Sequence, residues 1–151
     1  MDEQAFRETC RVVNPLACPF EKAILICQCG CREAGRINIA EREAINCLDV
    51  AALEDCTQLL GLLRHNAAFA LKLTHIDEVL PHAKHVKVQC GGLLGLQGVL
   101  QPESAEETQV ADIRGLVLAA QTRFGSLQEL PYSEIVRGIA GFQARRRTGP
   151  R

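Results

Sequence analysis

Hydrophobic residues recur every three or four positions along much of this chain, which is the spacing of helices that bury one face. The pattern is clearest after Asp49, a residue type that often caps a helix N-terminus. It predicts a helix from that position to about Thr74. The apolar stripe of this helix consists of Leu53, Cys56, Leu60, Leu63, Ala67 and Leu71.

Two more helices are predicted in the C-terminal third. Ser104 and Glu107 have the spacing of a capping box, and Gly125 is placed to end the helix that follows them. The apolar positions of that helix are Val110, Ile113, Val117, Ala120 and Phe124. A last helix is predicted from Pro131 to Gln143, with an apolar face formed by Tyr132, Ile135, Ile139 and Phe142.

Two shorter helices are predicted before Asp49. Cys18-Pro19 begins the first, because proline is favoured at the first helical position, and this helix should end near Gly30. The segment 32–46 alternates charged residues with small aliphatic ones. Its apolar positions again have helical spacing, which predicts a second short helix, and they are Ile37, Ala40, Ala44 and Cys47.

The middle of the chain, residues 74–103, is predicted to be irregular. Pro81 and four glycines interrupt any long element there, and residues 85–89 alternate like a short strand. The sequence therefore predicts a mostly α fold, a single small helical domain of five to six helices with an irregular Gly-rich central segment. We place the domain at residues 1–144 and a basic, disordered tail at 145–151.

Charge and hydropathy indicate which partners and which compartment to expect for this protein. The chain has 17 basic and 18 acidic residues, so no overall field draws it to nucleic acid or to an anionic membrane. No segment reaches the roughly 18 consecutive apolar residues that a membrane span requires, and the first residues are polar and resemble no export signal. We therefore expect a cytoplasmic protein that binds neither nucleic acid nor a membrane.

Cysteine usage carries most of the functional signal. The chain has eight cysteines, and seven of them fall within the first 56 residues. Because the cytosol keeps thiols reduced, and because bridges between residues two apart are strained, this density indicates metal or redox chemistry rather than disulfides. The eight positions are Cys10, Cys18, Cys27, Cys29, Cys31, Cys47, Cys56 and Cys90.

The cysteines on either side of Gly30 suggest a metal site. If that glycine ends a helix, Cys29 and Cys31 can turn towards a common centre, where thiolates select an iron–sulfur cluster, zinc or Cu(I). An iron–sulfur cluster accepts ligands from separate elements, with sulfurs roughly 6 Å apart. We therefore predict a metal or cofactor site, most simply a 4Fe-4S cluster, with ligands drawn from Cys18, Cys29, Cys31, Cys47 and Cys90.

Other assignments of these cysteines stay open. Zinc is the alternative metal, although the chain lacks the CxxC knuckle that zinc sites usually show. His82 and His85 near Cys90 could complete a mixed zinc site. Cys10 and Cys56 are predicted to be non-ligands, and core packing explains Cys27 as well as a metal does.

No motif of catalysis accompanies the cysteines. The chain has no nucleophile elbow, and its glycine-rich stretch lacks the lysine of a phosphate loop, so no small-molecule substrate is evident and we expect a protein that is not an enzyme. A Cys–His nucleophile pair at Cys90 and a redox-responsive DNA regulator remain minor alternatives. The predicted function is electron transfer or redox sensing with a protein redox partner. The rival prediction is a zinc-stabilised interaction or regulatory module.

Overall fold

Helices dominate the fold, as the sequence predicts. A computed structural model describes residues 4–5, 8, 12–72, 80–104 and 106–143. Within these ranges the α-helices are α1 (Glu21–Leu25), α2 (Val50–Ala67), α3 (His82–Leu100), α4 (Ile113–Phe124) and α5 (Tyr132–Gly141). The strands are β1 (Ala34–Ile39) and β2 (Arg42–Cys47), and single 3₁₀ turns cover Pro102–Ser104 and Leu127–Glu129. Cys10, His75 and the predicted tail lie outside the described residues.

Helix α2 follows the predicted pattern closely at its start. The Asp49 side chain accepts a hydrogen bond from the backbone N–H of Ala51 at 3.2 Å, so the predicted N-cap is confirmed. The helix ends at Ala67, short of the predicted Thr74, and Lys72 in the following turn has a positive φ of 57°. Its buried positions are Ala52, Cys56, Leu59, Leu63 and Ala67.

The predicted helix over residues 32–46 is wrong, because this segment forms an antiparallel β-hairpin. Strands β1 and β2 pair in register from Ala34 opposite Cys47 to Ile39 opposite Arg42. The two turn residues, Ala40 and Glu41, both have positive φ, 49° and 71°. Two-residue hairpin turns need this conformation, and their usual sequence is Asn-Gly or Asp-Gly. The turn here is Ala40-Glu41, which is not a recognised turn sequence. The helical spacing of the apolar residues therefore led to a wrong prediction.

The prediction of an irregular centre is also wrong. Residues 82–100 form α3, which with 19 residues is the longest helix in the described ranges. Pro81 lies just before its first turn, where proline is tolerated, so it marks the start of a helix rather than a break within one. Segment 85–89, predicted as a strand, lies inside this helix.

The glycines of α3 make a close helix–helix contact. A Cβ added to Gly95 would lie 2.8 Å from the carbonyl oxygen of Ile135, and one added to Gly91 would lie 2.8 Å from Cα of Ile139. On the facing helix, a Cβ added to Gly138 would lie 2.9 Å from Cα of Gly95. Helices α3 and α5 therefore touch through their backbones, and these glycines serve packing instead of ending the helix.

Helices α4 and α5 agree with the sequence prediction except at the N-terminal cap of α4. Gly125, with a φ of 89°, ends α4 as predicted. The capping box does not form, because α4 starts only at Ile113, after Asp112. Helix α5 buries Tyr132, Ile135 and Ile139, which belong to its predicted apolar face.

The core lies between α2, α3 and α5, and the hairpin packs beside it on α1 and α2. The first predicted helix is short, ending at Leu25 instead of near Gly30. Residues 16–18 run alongside β2, where Ala17 bridges to Asn46. The largest fully buried side chains are Phe20, Ile45, Leu59, Leu63, Leu93, Leu96, Ile113, Ile135 and Ile139.

Candidate metal centre

Four cysteines line one hollow between the hairpin, α2 and the start of α4. They are Cys18, Cys31, Cys47 and Cys56, and each comes from a different segment of the chain. The surroundings include Pro19, Ala34, Ala52 and Ile113. The structure therefore brings together four thiols that are separated by up to 38 residues, a count that follows from positions 18 and 56.

Backbone pairing holds Cys18 and Cys47 side by side. The N–H of Cys18 donates to the carbonyl of Ile45 at 3.0 Å, and the N–H of Cys47 donates to the carbonyl of Leu16 at 2.8 Å. The Cys47 thiol also lies 3.1 Å from the carbonyl oxygen of Asp49, to which it donates. Segment 16–18 and strand β2 thus present two sulfurs from neighbouring backbones.

Two backbone hydrogen bonds of Gly30, here called the clasp, position Cys31. The N–H of Gly30 donates to the carbonyl of Val110 at 2.9 Å, and its carbonyl accepts from the N–H of Ile113 at 2.8 Å. A Cβ on Gly30 would come within 2.6 Å of the Ala111 carbonyl oxygen, so only glycine allows this approach without displacement. The clasp places Cys31 beside Ile113, which also lines the hollow.

Cys56 is the lining residue that the sequence prediction excluded. It lies on the buried face of α2, as its place in the apolar stripe predicts. The first turns of that face point to the hollow, because Ala52, one turn earlier, lines it as well. Helical spacing predicts which residues are buried and does not predict what they face, so nothing local distinguishes this thiol from a core residue.

Burial keeps two of the four thiols protonated in the absence of a metal. It raises the pKa of Cys18 from 9.0 to about 12, and the neighbouring Cys31 and Cys47 add to the rise. The pKa of Cys56 also rises to about 12, first through burial and then through the other three thiols. At Cys18 and Cys56, a negative charge is thus opposed both by loss of solvent and by the charges of the neighbouring cysteines when these are ionised.

The hollow is not shaped around one ion. Within the described residues, no group of three or more His, Cys, Asp or Glu side chains is arranged to hold a metal ion. The cavity has a volume of about 10 Å³, about the space that one water needs, and it is partly open to solvent. The four thiols therefore line one shared hollow, and the described residues form no single-ion site there.

Cys29 and Cys90, both predicted as ligands, lie elsewhere. Gln28 has a positive φ of 59°, so the chain changes direction between Cys27 and Cys31. Cys29 is buried, and its sulfur accepts from the N–H of Val110 at 3.5 Å instead of lining the hollow. Cys90 does not line the hollow, and it forms a disulfide with Cys27, which the sequence did not predict.

The mixed histidine site is likewise not assembled. Nδ1 of His82 lies 2.9 Å from the ammonium of Lys22, which donates to it. Burial, followed by the charges of Lys22 and Arg64, lowers the pKa of His85. In the structure Cys90 is bonded to Cys27, so it does not supply the thiolate that the predicted mixed site needs beside His82 and His85.

Comparison of the chain with protein-family models, with curated proteins and with solved structures gives no match. Across the described ranges, no helix has the length and apolar character needed to cross a membrane.

Proposed function

We propose that this protein binds an iron–sulfur cluster, of the 4Fe-4S type, through Cys18, Cys31, Cys47 and Cys56, and that it transfers electrons or senses redox state. The observation that carries the proposal is the convergence of these four thiols on one hollow. Cysteine thiolates are soft ligands, and sets of four are the usual ligands of such clusters. The proposal keeps three ligands predicted from the sequence, omits Cys29 and Cys90, and adds Cys56.

The origin of the four thiols in separate segments supports a cluster over a single ion. A tetrahedral zinc site with Zn–S bonds of about 2.3 Å needs sulfurs about 3.8 Å apart. Among the residues that the structure describes, no three or more His, Cys, Asp or Glu side chains are grouped to hold one ion. A cluster accepts wider separations and ligands from separate elements, which agrees with four different segments around an open mouth.

The proposed ligand set also argues against substrate chemistry. Four cysteine ligands leave no coordination position open, and no acid–base group accompanies them in the lining except Glu33. We therefore propose a protein that is not an enzyme and that acts with a protein redox partner in the cytoplasm. In that compartment the Cys27–Cys90 pair is expected as a dithiol, because the cytosol reduces most disulfides.

Anaerobic purification tests the proposal. The expected protein is brown, absorbs broadly in the visible range, and contains iron and acid-labile sulfide in equal amounts, about four of each. Reversible one-electron reduction would identify a carrier, whereas cluster breakdown by oxygen with a change of shape would identify a sensor. Colourless protein with one tightly bound zinc would overturn the cluster.

Zinc is the second candidate, and one observation favours it. The cavity volume of the hollow, about 10 Å³, has room for about one water-sized guest, which suits an ion better than a cluster. Rotation of the thiols would be needed to close them around it. A redox-silent protein with stoichiometric zinc would then be an interaction or regulatory module stabilised by its metal.

A further inference from the structure

A partly buried ion pair, Arg114–Asp55, lies next to the lining of the four-cysteine hollow. Asp55 precedes Cys56 on α2, and Arg114 follows Ile113 on α4, so each partner is the chain neighbour of a lining residue. The Arg114 Nη1 atom donates to Asp55 Oδ2 at 2.9 Å. The side chains are only 11% and 28% exposed, so water screens this pair weakly.

The proposed centre is negatively charged, so a nearby cation and its counter-ion should affect the stability of its reduced form. Four thiolates around a cluster core of charge +2 carry a net charge of about −2, and one added electron makes it about −3. Carboxylates already approach the site, because Glu33 lines the hollow and Glu21 acts on the Cys18 thiol. Arg114 is a cation that acts on Cys56, where its charge opposes part of the rise in pKa that burial causes.

We propose that the Arg114–Asp55 pair sets the reduction potential of the thiolate-ligated centre. The guanidinium stabilises the added negative charge of the reduced form, and the carboxylate offsets part of that effect. Both act through a poorly screened environment, where a charge changes an electron equilibrium most. This inference rests on the proposed function.

Two substitutions should therefore shift the potential in opposite directions. Asp55→Asn leaves the guanidinium without its counter-charge, so the potential should rise. Arg114→Gln leaves the carboxylate without its partner, so the potential should fall. We expect each to change the reduction equilibrium by about tenfold, or 59 mV for one electron. Packing damage by itself has no reason to produce opposite signs.

Control variants separate charge from structure. Arg114→Lys keeps the charge and can still donate to Asp55, so its potential should stay near that of the unmodified protein. Glu43→Gln removes one partner of the Arg36–Glu43 pair, which has the same 2.9 Å separation but side chains 56% and 47% exposed. Solvent screens that pair, so its loss should leave the potential unchanged.

Iron and sulfide content are measured before potentials. Full clusters with opposite shifts support the inference. Full clusters with shifts of the same sign, or with none, overturn it and leave the proposed function standing. If the unmodified protein holds no cluster, the proposed function fails, and this inference, which rests on it, fails with it.

Discussion

Gly30 meets the Ala111 carbonyl so closely that an added Cβ would lie 2.6 Å from that oxygen. Gly30→Ala should therefore separate the chain at this point from residues 110–113 and displace Cys31. We expect metal content after anaerobic reconstitution to fall at least severalfold. The control is Gly61→Ala on α2, where an added Cβ meets nothing within 4 Å. Equal metal content in both variants would show that the clasp does not position Cys31.

The contact between α3 and α5 predicts a position-dependent effect of adding one methyl group. Gly95→Ala places a Cβ 2.8 Å from the Ile135 carbonyl oxygen and should lower the free energy of unfolding by about 1–3 kcal/mol. Gly98→Ala, on the same helix with nothing within 4 Å, should raise it by up to about 1 kcal/mol. Urea unfolding of the two variants measures the difference. Equal effects would contradict backbone contact between the helices.

The Cys27–Cys90 disulfide closes a long loop, with a sequence separation of 63. Loop-closure entropy assigns such a bridge about 4 kcal/mol of stabilisation. Reduction, or the double variant Cys27→Ala/Cys90→Ala, should lower the free energy of unfolding by about 2–5 kcal/mol. Denaturant curves of oxidised and reduced protein test this, with Cys29→Ala as the unbonded control. Coinciding curves would mean that the bridge does not stabilise the fold.

Metal-free, reduced protein should lose stability at alkaline pH. Burial raises the pKa of Cys56 from 9.0 to about 12 and that of Tyr132 from 10.0 to about 12. The folded protein keeps both protons while the unfolded chain releases them, so the stability that is present below pH 9 declines as pH rises towards 12. Urea unfolding from pH 8 to 11 should show this decline, with a shallower slope for Cys56→Ala. Constant or rising stability would contradict it.

Local signals in the sequence predicted where α2 begins, where α4 ends and which face α5 buries. Asp49 caps α2, Gly125 ends α4, and the apolar face of α5 includes Tyr132 and Ile139 as predicted. Each depends on residues within a few positions of one another. Such features follow from backbone geometry and helical spacing, so sequence is sufficient for them.

Features that depend on distant contacts could not be predicted in the same way. The hairpin turn uses Ala40 and Glu41, which carry no turn signal, and Gly95 contacts α5 where sequence suggested a break. Cys56 faces other thiols only because the hairpin folds against α2. The sequence predicted that thiols converge, but the tertiary fold decides which ones do.

The most direct test of the four-cysteine site is a comparison of single cysteine substitutions. Cys18→Ser, Cys31→Ser, Cys47→Ser and Cys56→Ser are purified without oxygen beside Cys29→Ser, and iron and acid-labile sulfide are measured per chain. The arrangement predicts that each of the first four loses most of its cluster, while Cys29→Ser, whose sulfur lies away from the hollow, keeps it. A full cluster in Cys56→Ser together with its loss in Cys29→Ser would contradict the account.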